Sequence, residues 1–416
     1  MTDTESGATT VAISGGGPAG VMLGLLLARQ GVEVTVLEKH ADFLRDFRGD
    51  TVHPSTQVIL DQLGLLAEFD TIARGRMTAI DFGTTDGPLV HQPLDEVNPR
   101  HPFHEVALAP QWDLLDLLVR HARTYPTFRL EMEAETVSVV RSPTGPVRGI
   151  RYRKDGQEHE LRAVLTVDAE GRGSRLRSEL RTEVLDLGSA IDVEWFRIPR
   201  VEGDPAELRG VLGRGGAAVA INRADYWQVA FIVAKGADAG IRAAGLEAFR
   251  KRVGGVAPWM RDRLPAVTDW GDVKLLSVGV ERLKRWSAPG VLAIGDAAHT
   301  MSPMGGIGIN LAIGDAVATA NLLGADLLAA QADPRRFERT LNPAIVDRVE
   351  RRRRLPAEVT QRIQVAAQNR IIAMTRIDAG RSLQPPAPVR ALLAGPVSRL
   401  LPRIFVYGIR PELIAG

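Results

Sequence analysis

Residues 10–38 read TVAISGGGPAGVMLGLLLARQGVEVTVLE, and this stretch decides the fold. It opens on a short, β-branched apolar run (10–14) of the kind that forms a buried strand. GGGPAG at 15–20 is a tight turn. Residues 21–30 are apolar all round, as in a helix packed on a sheet, and Gly31 stands where a helix C-cap glycine stands. Residues 32–37 make a second strand that ends on Glu38, completing a βαβ unit. Gly15, Gly17 and Gly20 form G-x-G-x-x-G between strand and helix. The first glycine makes the turn, the second lets backbone approach a pyrophosphate, and the third lets helix and strand pack closely. Pro18 and Ala19 share that turn, whose helix N-terminus offers free N–H groups and a positive dipole end to phosphate. Glu38, about 20 residues on, stands where an acid accepts hydrogen bonds from a ribose hydroxyl, and Lys39 follows it in the same cradle. The motif suits FAD and NAD alike.

Working outward, the chain of 416 residues is 45% apolar and 25% charged, enough for a large core. Lys plus Arg number 52 against 50 Asp plus Glu, a net charge of +2, which argues against a nucleic-acid partner. The four arginines at 351–354 are read as a solvated helix face. There is no cysteine. That excludes disulfides, thiolate metal sites, a cysteinyl-linked flavin and the chemistry of flavoprotein disulfide reductases, and it fits a cytoplasmic location. The histidines are scattered without metal-binding spacing, so no metal site is expected. Residues 1–10 have no basic residue and no apolar core, so a signal peptide is not expected. No uninterrupted apolar run reaches about 18 residues, so no integral membrane segment is expected.

Beyond the βαβ unit, residues 54–66 read as a helix and 77–82 with 89–93 as strands. QWDLLDLLVRHART at 111–124 has helical periodicity. Strands are expected near 128–132, 137–141, 147–153 and 164–167. Between 192 and 233 the pattern is β again, clearest in VEWFRIP (193–199) and YWQVAFIV (226–233). Helices are expected within 246–253 and 258–264, then from Asn310 to about 379. GRGGAA at 213–218 imitates a second dinucleotide motif, but the segments after it read as a hairpin turning at 222–225. Residues 384–388 read as a Pro-rich linker. The basic, apolar stretch 389–408 reads as a docked helix pair, with an interfacial membrane contact as the alternative.

A second glycine-lined site lies near the end. VLAI (291–294) is a strand that runs into GDAAHTMSPMGGIGIN (295–310), which opens a long helix. An acid at a strand's carboxyl end before a glycine loop and helix suits a polar ligand. Asp296 can bond ribityl hydroxyls, and the N–H groups of 308–310 can face a ring edge that gains negative charge on reduction. A structural βα turn is the alternative.

On these residues the sequence resembles the class A flavoprotein monooxygenases, the para-hydroxybenzoate hydroxylase-like family. Three motifs carry the resemblance: GGGPAG with Glu38; DAEGRGSR at 168–175, similar to the family's Asp-Gly motif; and GDAAHTMSPMGGIGIN. They span roughly residues 11–330. The resemblance implies an α/β fold, a Rossmann-like FAD-binding domain of GR2 type with an inserted, mostly antiparallel β-sheet substrate domain and a C-terminal helical segment. The FAD-binding domain is expected from 1–75, 105–180 and 286–330, the substrate domain from 76–104 and 181–285, and the helical region from 331–416. The resemblance also implies that Arg48 and Gln111 lie near the FAD. It places Asp296 on the ribityl or phosphate, Pro303 beside the isoalloxazine, and Ile309 and Asn310 at its pyrimidine edge, with Gly306 and Gly308 as cofactor-binding candidates in the same loop. Glu170–Gly171 departs from the family's Asp-Gly by one methylene.

The resemblance implies a reaction as well. NAD(P)H, bound transiently because no second nucleotide domain exists, reduces FAD. O2 then gives a flavin C4a-hydroperoxide that hydroxylates, epoxidises or Baeyer–Villiger oxidises an aromatic or polyketide-like small molecule. Trp195, Arg197, Tyr226, Trp227 and Phe231 are expected to line the substrate, with Trp195 and Arg197 on one strand face. His53, Arg197 and Trp227 are the catalytic candidates, His53 because histidine titrates near neutrality. His299 is read as structural. A monomer or homodimer is expected. The alternatives are an FAD-dependent reductase or dehydrogenase of the same fold, or a flavoprotein using FAD structurally in a non-redox cyclisation.

Overall fold

The computed structural model describes residues 6–44, 51–143, 145–204, 208–223, 225–333, 335–378, 381–384 and 399–415. Its first sheet has five parallel strands, in the order Val291–Ala293, Gln157–Asp168, Ser6–Ser14, Val34–Leu37, Phe128–Glu131. An antiparallel meander, Glu135–Arg141 and Val147–Lys154, extends from the N-terminal half of Gln157–Asp168. Three helices, Pro18–Arg29, Gln111–Ala122 and Ile307–Ala332, pack beside this sheet. Pro18–Arg29 is apolar all round because it is buried all round: every residue from Ala19 to Ala28 is buried. Gly24 permits the close crossing, since a Cβ there would lie 2.8 Å from the Phe128 ring.

The second sheet has seven strands, in the order Lys274–Leu276, Ile191–Pro199, Tyr226–Ala234, Gly216–Asn222, Arg209–Gly213, Ala79–Thr84, Gly87–Pro93. All its pairings are antiparallel except Arg209–Gly213 with Ala79–Thr84. The pairing of Ile191–Pro199 with Tyr226–Ala234 runs without a register shift, so side chains part cleanly between two faces. One face, with Phe196, Ile198, Trp227, Val229 and Phe231, packs on Phe249, Val253 and Met260 of the segments Leu246–Val256 and Pro258–Ala266. The other, with Ile191, Val193, Trp195, Ala230 and Ile232, packs on Ile371, Ile372 and Met374 of the helix Pro343–Thr375 and on Met304.

The expected helix over 54–66 is two, Pro54–Gln62 and Leu66–Ile72, because the chain turns left-handed at Gly64, φ +73°. The strand expected at 164–167 begins at Gln157, since its charged first half is a half-exposed partner of the meander. Residues 258–266 are 3-10 rather than α, with Pro265 inside, and an additional helix spans Asp238–Ala243. The segment Met304–Ala332 is long and apolar enough to cross a membrane, but 72% of its most apolar window is buried inside the protein, as in a core helix. The Pro-rich 384–388 stretch lies outside the described residues except for Gln384. Of 389–408, the helix Leu400–Tyr407 is described. It docks through buried Val406 and Tyr407, whose hydroxyl donates to the Leu94 carbonyl at 2.9 Å.

Candidate functional site

The parallel strands end in one row. Leu37 pairs with Ser14, Ser14 with Asp168, and Asp168 with Ala293. The three distant motifs begin within two residues of that row, at Gly15, Asp168 and Gly295, so all three loops meet at the carboxyl edge of the sheet, where α/β folds bind ligands. Backbone bonds stitch them together: Gly15 N to Leu37 O at 2.8 Å, Ala169 N to Ser14 O at 2.8 Å, and Ile294 N to Asp168 O at 3.0 Å.

The first loop has the shape of a phosphate cradle. Gly15 has φ +108°, and a Cβ there would collide with the Ala169 carbonyl; a Cβ on Gly20 would fall on the carbonyl oxygen of Gly15. Gly17 differs: among the described residues beyond its chain neighbours, a Cβ there meets no atom within 4 Å, so the space above it is open. The helix Pro18–Arg29 starts at Gly17 with Pro18 in its first turn, no side-chain cap and no acid in that turn, which leaves its N–H groups and dipole for an anion. Glu38, 8% exposed, is fixed by backbone: Gly16 N donates to one carboxylate oxygen and His40 N to the other, both at 3.0 Å. Lys39 is exposed beside it.

The third loop is a second such terminus. Gly305 and Gly306 are left-handed, and a Cβ on Gly306 would collide with Thr51. Ile307–Ala332 starts there, again with neither a side-chain cap nor an acid in its first turn. Asn310 ties this terminus to the 51–56 segment. Its Oδ1 accepts from His53 N (2.9 Å) and Thr56 Oγ1 (2.8 Å), and its Nδ2 donates to Thr51 O (3.0 Å) and Gly306 O (3.1 Å). Ile309 and Gly308 are half-buried in the same turn, and a Cβ added to Gly308 would lie 3.9 Å from Asp296 Oδ1. Pro303 is half-buried at the loop's start. Gln111 opens the helix Gln111–Ala122, and the pairing of Thr51–Val52 with Val106–Leu108 brings that helix start toward the same segment.

The middle loop locks the other two. Glu170 accepts from Ser14 Oγ at 2.6 Å and from Arg175 N at 2.7 Å. Its extra methylene relative to Asp is thus used within the protein, across the first and middle loops. Asp168 is fully buried and accepts from Ser174 Oγ at 2.6 Å and Glu170 N at 3.2 Å. Burial pushes its carboxyl up to about 7 against those hydrogen bonds. Arg177, just past the quoted motif, donates to the carbonyls of Asp296 (2.7 Å) and Ala297 (2.8 Å) and so ties the middle loop to the third.

Comparison with known proteins now decides the family. The family described as an FAD binding domain matches residues 8–340. The chain belongs to it. It is 30% identical to 6-methylpretetramide 4-monooxygenase of Streptomyces rimosus, over 96% of this chain and 92% of that one. Among solved structures it is similar to p-nitrophenol 4-monooxygenase PnpA from Pseudomonas putida DLL-E4, with TM-score 0.75, 18% identity and coverage of 98% and 100% of the two chains. It is also similar to the myxobacterial chondrochloren halogenase CndH, with TM-score 0.74, 21% identity and coverage of 95% and 90%. At those identities the likeness to the two structures is one of fold. The chain is an FAD-dependent monooxygenase, and its residues fit the cofactor: two uncapped helix N-termini, the open face of Gly17 and the fixed carboxylate of Glu38 share one sheet edge.

Three of the expected substrate or catalytic residues need correction. Trp227 is fully buried on the sheet face turned to Leu246–Val256. Its indole donates to Asp204 at 2.9 Å, and its ring packs edge-on against Trp259. Phe231 is buried on the same face against Phe249. Both are core residues, placed there by strand alternation. His53 is 3% exposed, and burial pushes its pKa down to about 4 against hydrogen bonds from its ring to the backbone of Gly305, Val406 and Phe405. It is poorly matched to acid–base work near neutrality. Trp195, Arg197 and Tyr226 occupy the opposite face. Trp195 and Met304 of the third loop pack against the same cluster around Ile191, Val193 and Ile232, and the buried Trp195 indole N–H has no partner among the described residues; the Arg197 guanidinium lies 4.8 Å from the centre of the Tyr226 ring. Arg48 lies outside the described residues.

The sequence reading missed the support behind the third loop. Gln361, Gln364 and Gln368, on one face of Pro343–Thr375, are completely buried. Gln364 accepts from Ser302 N (3.1 Å) and donates to Ser302 O (3.1 Å) and Met304 O (2.9 Å); Gln361 donates to Thr300 O (3.0 Å). Their spacing of three and four, a polar stripe at helical period, was the available signal. The reading of 351–354 as a solvated face is also corrected, because Arg353 is 3% exposed and bonds Asp315. His299 is buried against the same Asp315, the structural position expected of it.

Proposed function

We propose that the protein uses NAD(P)H and O2 to hydroxylate an aromatic, polyketide-like small molecule bound between the third loop and the Trp195 face of the seven-stranded sheet. The observation that carries this reading is Met304: it belongs to the loop that meets the FAD and packs in the same cluster as Trp195. The flavin site and the substrate wall thus share a side. In this reading residues 1–75, 105–180 and 286–330 form the FAD unit, 76–104 and 181–285 the substrate unit, and 331–416 the support. The Streptomyces rimosus relative, named as a monooxygenase of 6-methylpretetramide, favours a fused-ring substrate.

FAD supplies the redox chemistry and the activation of oxygen when bound; this chain's residues supply position and dryness. The Gly15–Gly20 turn and Glu38 would hold the pyrophosphate and ribose. Asp296 would hold the ribityl chain, and the N–H groups of residues 308–310 would face the pyrimidine edge. Trp195 would donate its indole N–H to an oxygen of the substrate, and Arg197 over Tyr226 would draw a phenolic oxygen toward positive charge. The apolar face around Val193, Ile232 and Met304 would exclude water.

The test is turnover under labelled oxygen with a panel of fused-ring phenols. One labelled oxygen atom is expected in the product, with NAD(P)H consumed and no product formed without oxygen. Sustained turnover under strict anaerobiosis overturns the reading in favour of a dehydrogenase, and product formation with a redox-inert flavin overturns it in favour of a non-redox role.

A further inference from the structure

A chain of buried charges runs from the third loop to Glu412. His299 Nε2 lies 2.6 Å from Asp315 Oδ2, which also accepts from Gly295 N at 3.0 Å. Asp315 Oδ1 accepts from Arg353 Nε at 2.8 Å. Arg353 Nη1 then donates to Glu412 Oε1 at 3.3 Å, and Glu412 also accepts from Arg352 Nε at 2.8 Å and Nη2 at 3.2 Å. The side chains of His299, Asp315, Arg353 and Glu412 are at most 5% exposed. Gly314 makes room for the chain, since a Cβ there would lie 2.6 Å from Arg353 Nη2. Burial pushes the Asp315 carboxyl up, but the charges and hydrogen bonds of His299 and Arg353 outweigh it and hold it below the ordinary carboxylate range.

The network draws on four stretches of chain: the 295–299 turn around Asp296, the helix Ile307–Ala332 with Asp315, the helix Pro343–Thr375 with Arg352 and Arg353, and the segment carrying Glu412. That tail segment is also tethered elsewhere. Asn321 Nδ2 donates to Leu413 O at 2.8 Å, and Ala415 N donates to Asn321 Oδ1 at 3.0 Å. A buried guanidinium held between two carboxylates has one position. With Glu412 neutralised, Arg353 keeps Asp315 but loses the charge that holds its other end, so the guanidinium can re-aim and carry Asp315 with it.

We propose that the Glu412 carboxylate, rather than the tail's other tethers, is a latch on the FAD site: acting through Arg353 and Asp315, it is a positioning residue that fixes the 295–299 turn and so sets Asp296 against the cofactor. This rests on the reading above that Asp296 holds FAD.

The test is Glu412→Gln in the full chain, with Asn321→Ala as the control that loosens the tail without touching the network. Apoprotein is titrated with FAD, and the visible spectrum and midpoint potential of the bound flavin are recorded. For Glu412→Gln, FAD affinity is expected to fall about tenfold or more, with a displaced flavin spectrum and potential, while Asn321→Ala leaves all three at the wild-type values. Arg353→Lys keeps the charge but cannot bridge two carboxylates, and is expected to move the same readouts in the same direction. The proposal is overturned if Glu412→Gln binds FAD like wild type with an unchanged spectrum, or if Asn321→Ala weakens FAD equally. If Glu412→Gln does not fold, Arg353→Lys decides, and failure of both to fold assigns the network to folding alone. Wild-type protein that takes up no FAD sinks the cofactor reading itself, a result distinct from wild type and variants binding alike.

Discussion

Gly17 and Gly20 lie three residues apart and are glycine for opposite reasons. At Gly20 the obstacle is the protein's own Gly15 carbonyl; at Gly17 no described residue beyond its chain neighbours stands within 4 Å of an added Cβ. A methyl group at 17 therefore costs the empty protein little and collides only with what fills the cradle. Gly17→Ala is expected to leave the melting temperature of the apoprotein nearly unchanged while weakening FAD by about tenfold or more, ~1.4 kcal/mol, as followed by titration and by the loss of FAD-induced thermal stabilisation. Equal FAD affinity in this variant would remove the pyrophosphate from the cradle. The residue scale was legible here, because spacing and residue type are local. The same scale misled at His53 and Trp227, where the residue's chemistry was plain but its surroundings were not: burial pushes one down to about 4 and encloses the other among aromatic rings.

At the scale of elements, the helix Pro343–Thr375 is a brace rather than a surface appendage. Its glutamines reach the third loop's backbone across long gaps in sequence, 62 residues for Gln364 with Ser302. Gln364→Leu keeps the volume but strands one N–H and two carbonyls that the amide now satisfies. At about 1–3 kcal/mol for a buried polar group left unpaired, a loss of roughly 3 kcal/mol in denaturant unfolding is expected, together with weaker FAD retention on gel filtration. A loss under about 0.5 kcal/mol, the ordinary range for a surface change, would mean that the loop does not depend on the brace. The element itself could be read from the sequence. Its partner could not, since a stripe of glutamines indicates a polar neighbour without naming it.

At the scale of the whole molecule, buried ionisable groups make stability depend on pH. Glu194 is fully buried behind the seven-stranded sheet, neither of its carboxylate oxygens has a hydrogen-bond partner, and burial, helped by Asp238 and opposed by Arg252 and Arg242, pushes it up to about 7. A carboxyl raised on folding holds its proton in the native state where the unfolded chain has lost it. Its contribution is complete below the unfolded value near 4.5 and is lost as pH rises toward 7. His53 acts with the opposite slope: its folded value is lowered to about 4, so the unfolded chain takes up a proton first and stability falls as pH drops from 6.5 toward 4. Glu194→Gln is expected to remove the descending limb. Relative to wild type, its unfolding free energy should gain on the order of 3 kcal/mol between pH 4.5 and 7, as measured by denaturant titration at several pH values. Parallel pH profiles for the two proteins would place the titration elsewhere.

The sequence by itself determined the βαβ cradle, the second glycine loop, the family and the alternation of the VEWFRIP and YWQVAFIV strands, because each is written within a few consecutive residues as spacing, period and turn chemistry. Tertiary structure alone decided which face of the second sheet looks toward the flavin loop. It also decided that His53 is enclosed, that Arg353 is buried and that Glu412 closes a network with Asp315. Each of those outcomes depends on partners tens to hundreds of residues away, whose approach removes water and thereby changes what the same side chain can do.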